Sequence, residues 1–181
     1  MEKIKIAFIK FGGLAAGGTE RFLQNIAVNL PKKRFEVDYY YTNAAAYVGS
    51  DYKHAPNDSE RKKFLINAGI NLIPVHVEAK DVTQYNHEWL GTNFYELFDE
   101  KKYNFIQCAR AGHPEYPFTE ILNTPIVELI TLPGMADNQA NIVKSIHISN
   151  WQAQSWIQAG GDKTKVEIAP IITDMPQKKG I

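Results

Sequence analysis

Disulfide chemistry is the first thing this sequence excludes. Its 181 residues hold a single cysteine, Cys108, so no intrachain bridge can form. That usage fits a reducing compartment. Excess charge is missing too, since 20 Lys and Arg balance 20 Asp and Glu. A broad nucleic-acid surface needs a basic excess, so no nucleic-acid partner is expected. No apolar run is long enough to span a bilayer. The opening M-E-K-I-K leads into a short strand-like segment, not the apolar core of a secretory signal. The expectation is a cytoplasmic protein, with peripheral attachment at a membrane surface left open. The histidines (His54, His76, His87, His113 and His147) show no paired ligand spacing, so no metal site is expected. Internal repeats and low-complexity segments are absent.

What is present is an alternation of strand-like and helix-like segments. The first is Ile4 to Lys10, apolar on both faces as a central parallel strand is. Thr19 is placed to cap the next helix, with Glu20 in its first turn. Phe22, Ile26 and Leu30 give that helix one apolar face, and Pro31 marks its end. Phe35 to Thr42 reads as the second strand, and Asn43 to Asp58 as a long loop. Ser59 opens a helix ending near Gly69, and Ile70 to Val77 is the third strand. His87 to Lys101 reads as a helix despite Gly91. Further strands follow at Tyr103 to Ala109, Pro125 to Thr131, Lys144 to Ser149 and Lys165 to Ala169. Thr119 to Leu122 is a short helix. Asn150 to Ala159 is a longer one, with Trp156 and Ile157 inward and Gly160-Gly161 closing it. Such alternation predicts an α/β fold: a Rossmann-like open, mostly parallel sheet with helices on both faces.

The glycine-rich turn after the first strand carries the strongest chemical hint. Gly12, Gly13, Gly17 and Gly18 occupy four of seven positions, more than a tight turn requires. Backbone N–H groups and the helix dipole make such a turn a natural anion site. Their spacing fits neither G-x-G-x-x-G nor G-x-x-x-x-G-K-[ST], so no NAD or ATP cofactor is supported. Tyr39, Tyr40, Tyr41, Tyr47, Tyr52 and Trp89 have rings able to stack on sugars, but tyrosines in a strand more often pack a core.

The segment G-G-L-A-A-G-G-T-E-R, placed after a first strand, resembles the opening of family 4 glycosyltransferases. Gly12, Gly13, Gly18, Glu20 and Arg21 match that pattern, and Gly17 lies inside it. Three later stretches resemble the same family in the same order. In Y-N-F-I-Q-C-A-R-A-G-H-P-E, Arg110 and Gly112 match and His113 is displaced along the loop. In P-I-V-E-L-I-T-L-P-G-M-A-D, Glu128 matches, while Thr131 stands where the family commonly has a histidine that touches the donor sugar. Asp137 follows as a candidate for an acceptor hydroxyl, although a loop Asp is more often a turn former. In the last stretch, Ser149, Gly161, Lys165, Val166, Pro170 and Asp174 match, and Ile171 and Ile172 replace the usual Asn-Gly.

The resemblance implies the N-terminal, acceptor-side half of a GT-B fold, in which two Rossmann-like domains enclose the active site. Residues 1–175 are then that domain and residues 176–181 the start of an interdomain linker, with the C-terminal donor-binding domain outside this chain. The implied activity is a retaining, hexosyltransferase-type transfer from a nucleotide-sugar donor to a glycan, lipid or small acceptor, as in polysaccharide biosynthesis. It implies no metal and no cofactor beyond the nucleotide-sugar substrate. Gly12, Gly13, Gly17, Gly18, Glu20 and Arg21 would face the donor diphosphate and sugar; Arg110, His113, Glu128, Thr131 and Asp137 are cleft or acceptor candidates. This chain alone is expected to be inactive. The alternative is a non-catalytic GT-B-like module that binds glycan or scaffolds a complex; a flavodoxin-type regulator is weaker.

Overall fold

Seven strands form one parallel sheet whose order, β3-β2-β1-β6-β7-β8-β9, reverses direction at its first strand. They are β1 (Ile4–Lys10), β2 (Phe35–Thr42), β3 (Asn71–Val75), β6 (Phe105–Arg110), β7 (Ile126–Ile130), β8 (Ile142–His147) and β9 (Val166–Ile168). Two short strands, β4 (Val77–Ala79) and β5 (Trp89–Thr92), pair antiparallel outside that sheet. The helices are α1 (Gly18–Asn29), α2 (Asp58–Asn67), α3 (Phe94–Leu97) and α4 (Asn150–Gln158). The computed structural model describes residues 2–10, 14, 17–42, 58–79, 89–110, 118–131 and 136–170. The loop expected at residues 43–58 lies outside them except for Asp58, which begins α2.

The sheet is buried on both faces, which is why its central strands read as unbroken apolar runs. On one face Ile6, Phe8, Val37 and Tyr39 pack with Phe22, Leu23 and Ala27 of α1 and Leu65 of α2. On the other, Ala7, Ile9, Tyr40, Ile106 and Cys108 pack with Phe94, Phe98, Phe118 and Ile121. Tyr39, Tyr40 and Tyr41 are therefore core residues. Both α2 and α4 end in Schellman turns. Gly69 (φ 77°) and Gly160 (φ 100°) supply the left-handed residue there. At α4 the Gly161 N–H donates to the Trp156 carbonyl and the Gly160 N–H to that of Ile157. Trp156 is buried and Ile157 half-buried.

Several expected elements differ in the structure. The helix expected over His87 to Lys101 is replaced, within the described residues, by β5, the single-turn α3 and a 3-10 turn at Glu100–Lys102. Thr92 and Asn93 cause the switch. The Thr92 hydroxyl donates to the His76 carbonyl at 2.8 Å and accepts from the Phe94 N–H at 3.1 Å. The Asn93 side chain accepts from the His76 N–H at 2.8 Å. Those local bonds compete with helix, and Gly91 offers little helix propensity to resist them. The third strand stops at Val75, because residues 77–79 pair with β5 instead. The turn expected at Thr119 to Leu122 is a 3-10 turn over Phe118–Glu120. The sixth long strand starts earlier than expected, since a register shift lets Ile142 pair with Ile126. Ser149 consequently serves as the N-cap of α4, accepting from the Gln152 N–H at 3.2 Å.

Candidate functional site

A reversal of strand order in an open parallel sheet leaves a crevice at the carboxyl ends of the two diverging strands. Here those strands are β1 and β6, paired from Ile6–Phe105 to Ile9–Cys108. Lys10 ends β1 and Arg110 ends β6. Thr131 follows β7, and His147 ends β8. Because α1 and α4 each follow a strand, their N-termini sit at this same edge.

The expected cap on α1 is corrected by the structure. Gly17 is the N-cap, and no side chain bonds the helix there. Thr19 lies inside the first turn, where its hydroxyl meets the Thr131 hydroxyl at 2.6 Å. That contact joins α1 to the end of β7, across the end of the intervening β6. Glu20, three residues past the cap, folds back over Gly17. A Cβ at Gly17 would stand 2.0 Å from its Oε2. The same carboxylate lies 3.5 Å from Lys10 Nζ. The α1 N-terminus therefore already holds an anion of its own, where the helix dipole favours one. Among the described residues nothing lies within 4 Å of where a Gly18 Cβ would stand, and Arg21, next after Glu20, is exposed.

The remaining candidates fall in three places. Gly12, Gly13 and His113 lie outside the described residues, and so does the Arg110 side chain. Glu128 is fully buried, in register between Cys108 and Ser145. The Ser145 hydroxyl donates to its carboxylate. It is thus a group inside the sheet–helix layer, below the crevice and not on its surface. Asp137 is also buried, and its Oδ1 accepts from the Gln139 N–H at 2.9 Å, a turn-former's bond. Its neighbour Asn138 holds Gly160 and Asp162 at the far end of α4. The structure does not bring Asp137 to the crevice with Glu20 and Thr131.

His147 is the group that sequence reasoning missed. It is fully buried, and among the described residues neither ring nitrogen has a hydrogen-bond partner. Its ring lies 5.2 Å from that of Trp156, tilted by 58°. The sequence placed it inside the strand expected over Lys144 to Ser149, and the structure ends β8 at this residue. Burial lowers the His147 pKa, because the charged imidazolium is disfavoured away from water. The unfolded chain then takes up this proton at a higher pH than the folded chain does. Stability from this group is complete above the ordinary histidine pKa and is lost as pH falls through it. We expect His147→Phe to flatten the fall in unfolding free energy between pH 7.5 and 5.5, read from urea curves at each pH. Equal slopes in both proteins would remove this role.

Among the described residues, no three His, Cys, Asp or Glu side chains gather as a metal site. No described helix is long and apolar enough to cross a membrane.

No protein-family model and no curated protein matches this sequence. Solved structures do match the fold. Anabaena Alr3699/HepE in complex with UDP-glucose superposes with a TM-score of 0.56 at 18% identity, covering 94% of this chain and 44% of that one. The same protein with UDP and glucose gives 0.51 at 16%, and with UDP 0.52 at 15%. Both cover 94% of this chain and 45% of the other. This chain therefore spans less than half the length of the proteins it resembles. At such identity the likeness is one of fold: an open, Rossmann-like parallel sheet.

Proposed function

We propose that this chain is the N-terminal Rossmann-like half of a GT-B glycosyltransferase that takes its sugar from a nucleotide-sugar donor. One observation carries the reading. Nearly the whole chain superposes on a protein crystallised with UDP-glucose, with UDP and glucose, and with UDP. The switch-point crevice between β1 and β6 supports it, since that is where α/β sheets bind ligands. In this reading residues 1–175 form the acceptor-side domain, and a second domain holds the nucleotide. The transfer is retaining and of the family 4 kind, without a metal. The acceptor is a glycan, lipid or small molecule, and the reaction belongs to polysaccharide biosynthesis on the cytoplasmic side, at or near a membrane surface.

Charge develops on the departing diphosphate as the sugar leaves, and a catalyst must stabilise it with fixed donors. Within this chain, Glu20 fills the α1 N-terminus and lies against Lys10. Among the described residues, the chain offers the crevice from this side the Thr19 and Thr131 hydroxyls and the Lys10–Glu20 pair. The main stabilisation of the diphosphate falls to the other domain. Residues 1–175 alone should then release UDP from a UDP-sugar at least about a thousandfold more slowly than the full-length polypeptide, the range set by losing single charge-stabilising donors. Coupled UDP-release assays on both proteins test this. Equal turnover by residues 1–175, or no turnover by the full-length polypeptide with any UDP-sugar, would overturn the reading. The deep burial of Glu128 favours a second reading, a non-catalytic glycan-binding module. Its mark is sugar binding by the full-length polypeptide without UDP release.

A further inference from the structure

We propose that the outer face of α4 is a binding surface for an uncharged oligosaccharide, with Trp151 as its stacking ring. Calling that oligosaccharide the acceptor rests on the reading above; the surface itself stands on other observations. Trp151 is 70% exposed, in the first turn of α4. A lone exposed apolar side chain is ordinary on a protein surface. What surrounds this one is not. Gln154, Ser155 and Gln158 follow at i+3, i+4 and i+7, so they share its face of the helix. Gln154 and Gln158 are exposed and Ser155 is half-buried. The opposite face packs on the sheet, with Gln152, Ala153 and Trp156 buried. Gln152 is already engaged there, accepting from the Ile148 N–H at 3.1 Å.

Charge is missing from this surface. No Asp, Glu, Lys or Arg occurs between Lys144 and Asp162, in a chain that is 22% charged. The outer side of a surface helix is ordinarily kept in water by charged residues. Here an indole and carboxamides take their place. The negative face of an indole attracts the C–H bonds on the flatter side of a pyranose ring. Each carboxamide carries both a donor and an acceptor, which adjacent sugar hydroxyls can use together. An anionic ligand finds no cation on this face. A membrane is a poorer match as well, because interfacial helices set Lys and Arg beside their Trp.

The place of the helix sets the length of the ligand. α4 begins where β8 ends, at the same sheet edge as the crevice. β8 stands two strands from β6, roughly 10 Å across the sheet. From Trp151 to Gln158 the face runs on for about another 10 Å at the α-helical rise. One sugar ring cannot occupy both the crevice and Trp151. A chain of them can, with its accepting end in the crevice and later units over α4.

Calorimetry on the full-length polypeptide tests this with maltohexaose, cellohexaose and chitohexaose. Whichever of UDP-glucose, UDP-galactose and UDP-N-acetylglucosamine binds most tightly serves as the control. At least one hexasaccharide should bind. Trp151→Ala should weaken it at least about tenfold, the scale of a lost stacked ring, and leave the UDP-sugar within about twofold. Trp151→Phe keeps a ring and should stay within about threefold of wild type. Binding of no hexasaccharide, or binding that Trp151→Ala leaves unchanged, overturns the inference and leaves the proposed function standing. Equal weakening of hexasaccharide and UDP-sugar overturns it by making Trp151 a contact to the second domain. Failure of the alanine variant to fold overturns it too. So does binding to phosphatidylcholine–phosphatidylglycerol vesicles that Trp151→Ala abolishes, which would make the face a membrane anchor. Wild type that binds a hexasaccharide through Trp151 but no UDP-sugar supports the glycan surface and removes the proposed function.

Discussion

Gly161→Ala is expected to lower the unfolding free energy by about 3 kcal/mol, the upper part of the range for forcing atoms into a filled core. A Cβ at this position would lie 2.1, 2.3 and 2.4 Å from three ring carbons of Trp156. Those are atoms of a rigid ring, not the end of a flexible side chain. The ring is 1% exposed and packs against His147, so it has nowhere to go without moving α4 off the sheet. The backbone at Gly161 is not left-handed, so the cost is steric alone. Gly160→Ala gives the opposite case. Its φ is 100° and its Cβ would meet nothing, so only conformational strain of about 1–2 kcal/mol is at stake. Urea unfolding of Gly161→Ala, Trp156→Leu and the double variant checks the mechanism. The glycine change should cost far less once the indole is gone, giving a coupling of more than about 1 kcal/mol. Additive effects would show that Trp156 is not what the new methyl strikes.

The second large effect is expected at Asp38, where Asp38→Ala should cost about 3 kcal/mol. Asp38 is buried on β2 and gathers three partners. Tyr103 Oη donates to its Oδ2 at 2.8 Å, and Asn71 Nδ2 to its Oδ1 at 2.8 Å. Lys5 Nζ lies 3.2 Å away. Tyr103 in turn touches the Tyr40 hydroxyl at 2.6 Å. Removing the carboxylate strips the buried tyrosine pair of its outer acceptor, and each stranded buried donor costs about 1–3 kcal/mol. The ionic share is small, because the Lys5 side chain is about a third exposed and already reaches Glu36 at 2.9 Å. Burial, then its contacts with Tyr40 and Asp38, push the Tyr103 pKa far up, so its hydroxyl remains a donor throughout the working pH range. Asp38→Asn keeps an acceptor and should cost about 1 kcal/mol, while Glu36→Ala, at an exposed site, should cost less than about 0.5 kcal/mol. A Glu36→Ala effect as large as that of Asp38→Ala in thermal melts would mean that surface charge, not the buried network, holds this corner.

The parts of the fold legible in the sequence are those whose signal is local. The run I-K-I-A-F-I-K is apolar on both faces because β1 lies at the centre of a sheet covered on both sides. Spacing alone marks Phe22, Ile26 and Leu30 on the inward side of α1; Phe22 is buried with Leu23 and Ala27, and Ile26 and Leu30 are partly buried against the same core. The helix expected over His87 to Lys101 is overextended: Phe94–Leu97 keeps a single helical turn, while the side chains of Thr92 and Asn93 bind backbone at His76 beside the strand Trp89–Thr92. The site is less legible for a related reason. Thr19 looks like a cap from its neighbours, but its partner lies 112 residues away. His147 looks like an ordinary strand residue until β8 is aligned on β7 and Trp156 arrives from α4. Both depend on which strands become neighbours, and no local pattern carries that information.

The strand order also sets how this molecule assembles in time. On one flank, β1 meets β2 by pairing Ile4 with Phe35; on the other, β6 meets β7 by pairing Ile106 with Ile126. These closures are short. The joint between the flanks pairs Ile6 with Phe105 and closes a much longer loop. Loop entropy and topology therefore make the β1–β6 joint the slow step of folding. The pairings within each flank are therefore expected to form before the two flanks zip together. Pulse-labelled hydrogen exchange should find amides of β1 and β2 protected before those of β1 and β6 become mutually protected. The crevice lies at the end of that joint, so it takes shape only when β1 and β6 have paired.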